Sequence, residues 1–309
     1  MKPSRTGGGR FDPTARALYF LSLTNGSHTR LMVEEHEDGN LLRAPHLLAA
    51  VNYINRPMES AMRYTAAHGA AWFIDSGVYN LSAMHALKHG LTFYEALTTQ
   101  PEDLDGWDDL YVKYVDICRR WEDLAWGYTE LDQGGRESKI RLRAGLEKIG
   151  LRPIPVYHPL TDGWDYFDHL AERYDRIAFG NVVGSDKATR TRLIATAWER
   201  KRKYPNLWVH LLGLTPNEIT NALPVDSCDS SSWVAAVRWE ATTTHAMQRS
   251  LGPLRRDYRY IVGAVRTESG YDKGCILGAL SAALEERSAL HWHETLMAAG
   301  IDPYARTAP

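Results

Sequence analysis

Val225-Asp226-Ser227-Cys228-Asp229-Ser230-Ser231-Ser232-Trp233 follows an apolar run, Leu207-Trp208-Val209-His210-Leu211-Leu212-Gly213-Leu214. The run is short, continuous and closed by the turn residues Thr215-Pro216-Asn217, which predicts a buried strand. In a parallel α/β barrel the mouth forms where strands finish and loops begin, so an acid placed there faces substrate. Asp226 and Asp229 are therefore the first candidates for chemistry. The competing reading is a capping role at a helix beginning near Ser230, since Asp and Ser commonly accept the free N–H groups of a first turn.

A second apolar run, Ala71-Trp72-Phe73-Ile74, stops at Asp75-Ser76-Gly77-Val78-Tyr79, and a helical pattern runs from Leu81 to His89. Two acids at one barrel mouth suit displacement at a glycosidic carbon, where one carboxylate attacks the sugar and another group handles the proton of the leaving base.

The rest of the chain alternates as a TIM-type (β/α)8 barrel should. Residues 1–16 are polar and Gly-rich and read as a flexible segment. A first strand spans residues 17–23, followed by a hairpin-like excursion at His36-Glu37-Asp38-Gly39-Asn40 and a helix over His46 to Ile54. Helical spacing covers residues 104–122. A strand over residues 124–131 ends at Asp132-Gln133-Gly134-Gly135, a third acid at a strand end. After a helix over residues 139–149, Pro153-Ile154-Pro155-Val156-Tyr157 is a strand running into His158-Pro159. Residues 164–174 are helical, and Arg176-Ile177-Ala178-Phe179 is a strand opening onto Gly180-Asn181-Val182-Val183-Gly184. A helix over residues 188–204 precedes the strand quoted first. The last strand falls in residues 234–240 or 258–265. The domain reading is a barrel over residues 17–245, with barrel completion and C-terminal helices over 246–309. A doubly wound open sheet would want a Gly-rich fingerprint after its first strand, and that fingerprint is absent.

With 309 residues, 44% of them hydrophobic, and a net charge of −2, the chain can bury a large core and is neither disordered nor broadly basic. Cys118, Cys228 and Cys275 lie far apart and leave one over under any pairing, which predicts reduced thiols and a cytoplasmic setting. No metal site is expected, because the nearest set, His291-Trp292-His293 with Cys275, lacks the close Cys pairs of structural zinc. No run approaches the roughly 18 apolar residues of a membrane span.

Taken together, Asp75-Ser76-Gly77 with Tyr79, Asp132, the Gly180 loop, His210-Leu211-Leu212-Gly213 and the Asp226/Asp229 pair resemble the ordered motifs of tRNA-guanine transglycosylases. The Asp-Ser-Ser-Ser-Trp form and the Tyr157-His158-Pro159 turn are more similar to the phage and bacterial branch that inserts 7-deazaguanines into DNA. The resemblance spans roughly residues 17–240. It implies that Asp229 is the nucleophile, that Asp75 is the acid/base, and that Asp132 reads the guanine edge. Tyr79 and Leu212 match the residues that sandwich the base, and Ser76, Gly180, Asn181 and Gly213 line the pocket. His158 stands where the family has a base-reading Gln. Asp226 matches a second acid with a structural task.

The family's zinc-binding Cys cluster is missing, which shifts the expected polymer from tRNA to DNA, with a free 7-deazaguanine such as preQ0 as the second substrate and no cofactor. The implied setting is the cytoplasm, of the host if the chain is phage-encoded, and a partner protein is compatible with it. Phosphate contacts are expected from a basic strip after the Asp132 loop, with Arg141 and Arg143 foremost beside Arg136 and Lys139, and from Arg255-Arg256. Any one of these cations also fits a solvated helix face. The same exchange on tRNA and a catalytically inactive nucleobase-binding barrel are the alternative functions.

Overall fold

The structure, a computed structural model, describes residues 4–13, 18–23, 46–214, 226–231 and 297–300. Eight strands form one parallel sheet: β1 (Leu18–Leu23), β2 (His46–Ala50), β3 (Ala71–Asp75), β4 (Ala125–Tyr128), β5 (Val156–Tyr157), β6 (Arg176–Phe179), β7 (Trp208–Leu211) and β8 (Ser227–Ser230). Their order is β4-β3-β2-β1-β8-β7-β6-β5. A parallel bridge between Thr129 and Ile154 joins the two ends of that order, with Glu130 N–H donating to Ile154 O at 2.9 Å and Ile154 N–H to Tyr128 O at 2.8 Å. The sheet thus curls into a TIM-like α/β arrangement. The described helices are α1 (Arg56–Ala67), α2 (Val78–His89), α3 (Phe93–Thr98), α4 (Trp107–Trp121), α5 (Gly135–Lys148), α6 (Trp164–Arg173) and α7 (Lys187–Lys201).

Side-chain alternation along each strand divides the core in two. Leu18, Phe20, Leu48, Phe73, Trp126, Ile154, Val156, Ala178 and Trp208 form the inner cluster. Their outward neighbours, among them Tyr19, Leu21, Trp72, Ile74, Ile177, Phe179 and Val209, pack against the helices. Burial on both faces explains why these strands read as continuous apolar runs. The helices answer with apolar stripes: α4 buries Trp107, Leu110, Tyr114, Ile117, Cys118 and Trp121 at three- and four-residue steps.

Several expectations change. His46–Ala50 is strand β2, followed by a 3-10 turn over Val51–Tyr53, and not a helix. A short apolar run carries no decisive period, and here β1 and β3 pair with it on either side. The helix comes later, as α1, where Asn55 caps the Met58 N–H at 2.9 Å and Pro57 occupies the first turn. Ser227–Ser230 is β8, paired to β1 and β7, so Asp229 and Ser230 are strand residues and not the cap and first turn of a helix. The eighth strand of the sheet therefore lies before residues 234–240 and 258–265. Those two ranges, the hairpin at His36–Asn40 and Arg255-Arg256 fall outside the described residues, as do residues 246–296 and 301–309.

The N-terminal segment is docked rather than free over Ser4–Phe11. Ser4 bridges to Tyr174, and Thr6 binds the Asp175 carboxylate through its N–H and its hydroxyl, both at 2.9 Å. Arg176, fully buried at the start of β6, donates to Thr6 Oγ1 at 2.6 Å and Thr6 O at 2.9 Å, and also to the carbonyls of Gly7 and Trp126. Phe11 lies 4.2 Å from that guanidinium and packs edge-on against Trp126 and Trp208. Burial pulls Arg176 down to about 10, which leaves it charged at neutral pH. Arg176→Met is expected to destabilise the protein by about 3–5 kcal/mol, because three carbonyls lose their donor inside the fold. A urea-denaturation midpoint equal to the wild type's would mean that this end of the barrel does not depend on it.

Among the described residues, no helix is long and apolar enough to cross a membrane.

Candidate active site

Strand ends supply the site, as parallel topology dictates. Asp75 closes β3, Asp132 follows β4, His158 follows β5, Gly180 follows β6, and Leu212 and Gly213 follow β7. Asp229 departs from this pattern, since it lies within β8, where alternation turns Ser227 and Asp229 inward and Cys228 outward.

Asp229 is held through both oxygens. Oδ1 accepts the Gly213 N–H at 2.9 Å and lies 3.1 Å from His210 Nε2, while Oδ2 accepts the Ser22 hydroxyl at 2.8 Å. His210 is itself fixed by Ser227 Oγ, 2.8 Å from Nδ1. The Gly213 N–H reaches the carboxylate because φ there is +70°, and a Cβ would sit 2.8 Å from Val183 Cγ2. Asp226 has a different task. Fully buried, it ion-pairs with Lys201 and accepts the Val209 N–H at 2.8 Å, which fastens α7 to β7 and β8 as the structural reading of this acid requires.

A second group centres on Asp75 and Asp132. Asp75 Oδ2 accepts the Gly77 N–H at 3.0 Å, and Oδ1 accepts the Thr129 hydroxyl at 3.5 Å. Gly77 has φ +83°, and a side chain there would overlap Asn52. Thr129 Oγ1 also accepts the Ser76 N–H at 2.8 Å. Ser76 Oγ donates to Asp132 Oδ1 at 3.3 Å, and His158 Nε2 lies 3.0 Å from Asp132 Oδ2. Gly180 backs onto His158, whose ring a Cβ at that position would meet at 3.3–3.4 Å. Asn181 adopts φ +61°, rare for a residue with a side chain, and its buried Nδ2 has no hydrogen-bond partner.

The three acids differ in their electrostatics. Burial pushes Asp75 up to about 7, and the nearby charges of Asp132 and Asp229 push the same way against the Gly77 and Thr129 hydrogen bonds. Burial also works against Asp132 as an anion, but the hydrogen bond and charge of His158, with Lys139 behind it, outweigh that and hold its carboxyl below the ordinary value. One acid is thus poised to exchange a proton near neutrality while its neighbour stays ionised.

Asp75, Ser76, Asp132, His158 and Gly180 converge, as do Asp229, Gly213 and Leu212, whose side chain packs on the inner cluster. Tyr79 stands apart: it is 66% exposed on the first turn of α2 and meets the Phe93 ring at a tilt, with centroids 4.8 Å apart. Sequence reasoning gave no role to Ser22, Thr129 or His210. For Ser22 and His210 a signal existed, since they continue the inward alternation of Phe20 and Trp208.

The basic strip needs correction. Arg143 is buried, with Nη1 2.6 Å from Glu130 Oε2 and further bonds to the hydroxyls of Tyr166 and Tyr174, so it offers no phosphate contact. Lys139 is likewise buried against Asp162 and the Val156 carbonyl. Both lie on the inner face of α5 with Leu146, at positions four and three residues apart. A cation on that face is invisible to a reading that assumes charges point outward. Arg141 is on the surface but pairs with Glu102 at 3.2 Å, and Arg136 pairs with Asp165 at 2.9 Å.

No family model matches the chain. No curated protein matches it significantly. Among solved structures, the chain is similar to a protein of Coccidioides immitis assigned as a fructose-1,6-biphosphate aldolase, at 14% identity over 88% of each chain and with a TM-score of 0.47. At that level of similarity the architecture of this chain rests on its own strand pairing.

Proposed function

We propose that the protein is a base-exchange transglycosylase that replaces guanine in DNA with a 7-deazaguanine such as preQ0. The observation that carries this reading is the division of labour among three neighbouring acids: Asp75 near neutrality, Asp132 ionised beside His158, and Asp229 fixed by Gly213, Ser22 and His210.

In the first displacement, an Asp229 oxygen bonds to the sugar C1′ while the C1′–N9 bond breaks and its electron pair leaves with guanine. Asp75 gives its proton to the departing base. In the second, Asp75 takes the N9 proton of the incoming deazaguanine, whose nitrogen attacks C1′ and releases the Asp229 carboxylate. Atoms and protons balance, water takes no part, and two inversions retain the anomeric configuration. A group titrating near 7 suits both steps, because it must be an acid in one and a base in the other.

Asp132 offers acceptors for the N1–H and exocyclic amine of a guanine, and His158 fixes its orientation. The free Asn181 amide at the same rim is a donor suited to a carbonyl or ring nitrogen of the base. The target nucleotide has to leave the duplex to reach these groups.

Incubation of the purified protein with labelled preQ0 and either DNA, duplex and single-stranded, or tRNA tests the proposal. Label is expected in DNA. Label in tRNA alone overturns the choice of polymer, and label in neither overturns the exchange. Asp132→Ala is expected to lower discrimination for guanine over adenine by about 100-fold, since the site loses the acceptor that rejects the wrong edge. Unchanged discrimination would remove Asp132 from the recognition role.

A further inference from the structure

Away from the barrel mouth, His85 and His89 lie one turn apart on the same face of α2. Both rings turn toward Asp105, which precedes α4: His85 Nδ1 is 3.2 Å and His89 Nε2 2.6 Å from Asp105 Oδ2. The three ligand atoms lie within 4.8 Å of one another. A tetrahedral ion with bonds of about 2.0–2.1 Å to imidazole nitrogen and carboxylate oxygen needs ligand atoms about 3.3 Å apart. The buried His85 already meets that spacing. His89, 43% exposed, has room to open by the small remainder.

The Asp105 N–H also points at His85 Nδ1 from 3.4 Å, so the backbone and the carboxylate of Asp105 both face that one nitrogen. At present Lys88 Nζ supplies the positive charge, 3.0 Å from the same Asp105 oxygen, from a side chain 64% exposed and free to swing into solvent. We infer that His85, His89 and Asp105 form a site for a divalent cation of the zinc class, with water completing its coordination. Two imidazoles and one carboxylate suit Zn²⁺, Co²⁺ or Ni²⁺ rather than Mg²⁺ or Ca²⁺. The bound ion would staple the C-terminal turn of α2 to the segment before α4. A search for close Cys pairs overlooks this set, which contains no cysteine and whose Asp105 lies 16 residues beyond His89.

The test is titration of the chelator-stripped full chain with Co²⁺, followed by its visible absorption, then displacement by Zn²⁺ in a calorimeter. One ion per chain is expected at this site. His89→Ala is expected to weaken that binding at least roughly 10-fold with an unchanged far-ultraviolet circular dichroism spectrum, since His89 is largely a surface residue. Lys88→Ala is expected to bind several-fold tighter, because the competing ammonium is gone. Equal uptake by wild type and His89→Ala, absence of a Co²⁺ spectrum, or weaker binding in Lys88→Ala would each overturn the assignment.

Discussion

Asp229→Ala is expected to lower base exchange by about 10⁴-fold or more, because no other carboxylate shares its placement on C1′ in the proposed reaction. Asp229→Asn should lose as much. The amide of the Asn variant keeps an oxygen for the Gly213 N–H and nearly the same volume, so its fold serves as the control for the alanine variant, which leaves the Gly213, Ser22 and His210 contacts unmet. The wild type should also yield a protein–DNA adduct that survives denaturation, with the sugar on Asp229. An alanine variant exchanging at the full rate, or an adduct mapped to another side chain, would remove Asp229 from the nucleophile's role.

Asp75→Asn is expected to lose about 10²–10⁴-fold in exchange rate, the usual worth of a positioned acid/base. It should also change stability in a direction that a purely structural residue would not. The folded protein holds the Asp75 proton up to about pH 7, whereas an unfolded Asp releases it near 3.8. Between those values the native state binds the extra proton, so the stability attributable to this group falls as pH rises from about 4 to about 7 and stays lower above. Asparagine does not titrate. The variant should therefore match the wild type near pH 4 and exceed it at pH 8 by about 1–3 kcal/mol, a figure reduced from the full shift because Asp75 is only half-buried. Urea denaturation at the two pH values measures the difference, and a variant less stable than wild type at pH 8 would contradict the electrostatic account.

Both variants probe acids that were visible in the chain itself. An Asp after a short buried run is a local pattern, and for Asp75, Asp132 and the His158 turn the topology of a parallel sheet converts that pattern into a place at the mouth. The same logic places Asp229 in a loop after Leu207–Leu214, yet it sits inside β8. Ser-Cys-Asp-Ser has no strand propensity to detect. It is a strand because β1 and β7 flank it and satisfy its backbone. His46–Ala50 is a strand where its sequence suggests a helix for the same reason, its conformation being set by neighbours more than 20 residues away in the chain.

The alternation of buried strands and amphipathic helices, and the identity of the acids that end or follow them, can be read from the chain alone, because both follow from short-range periodicity and turn chemistry. Which charges are available depends instead on how the elements pack. Arg143 and Lys139, which the helical pattern alone leaves free to face solvent, are spent on Glu130 and Asp162 inside the fold, and Arg176 is consumed by the N-terminal segment. His210, Ser22 and Gly213 acquire a purpose only when β7, β1 and β8 bring them to one carboxylate. Proton affinity belongs to the same category: Asp75 differs from Asp132 not by residue type but by burial and by which ionic neighbours each one meets, and those are properties of packed space.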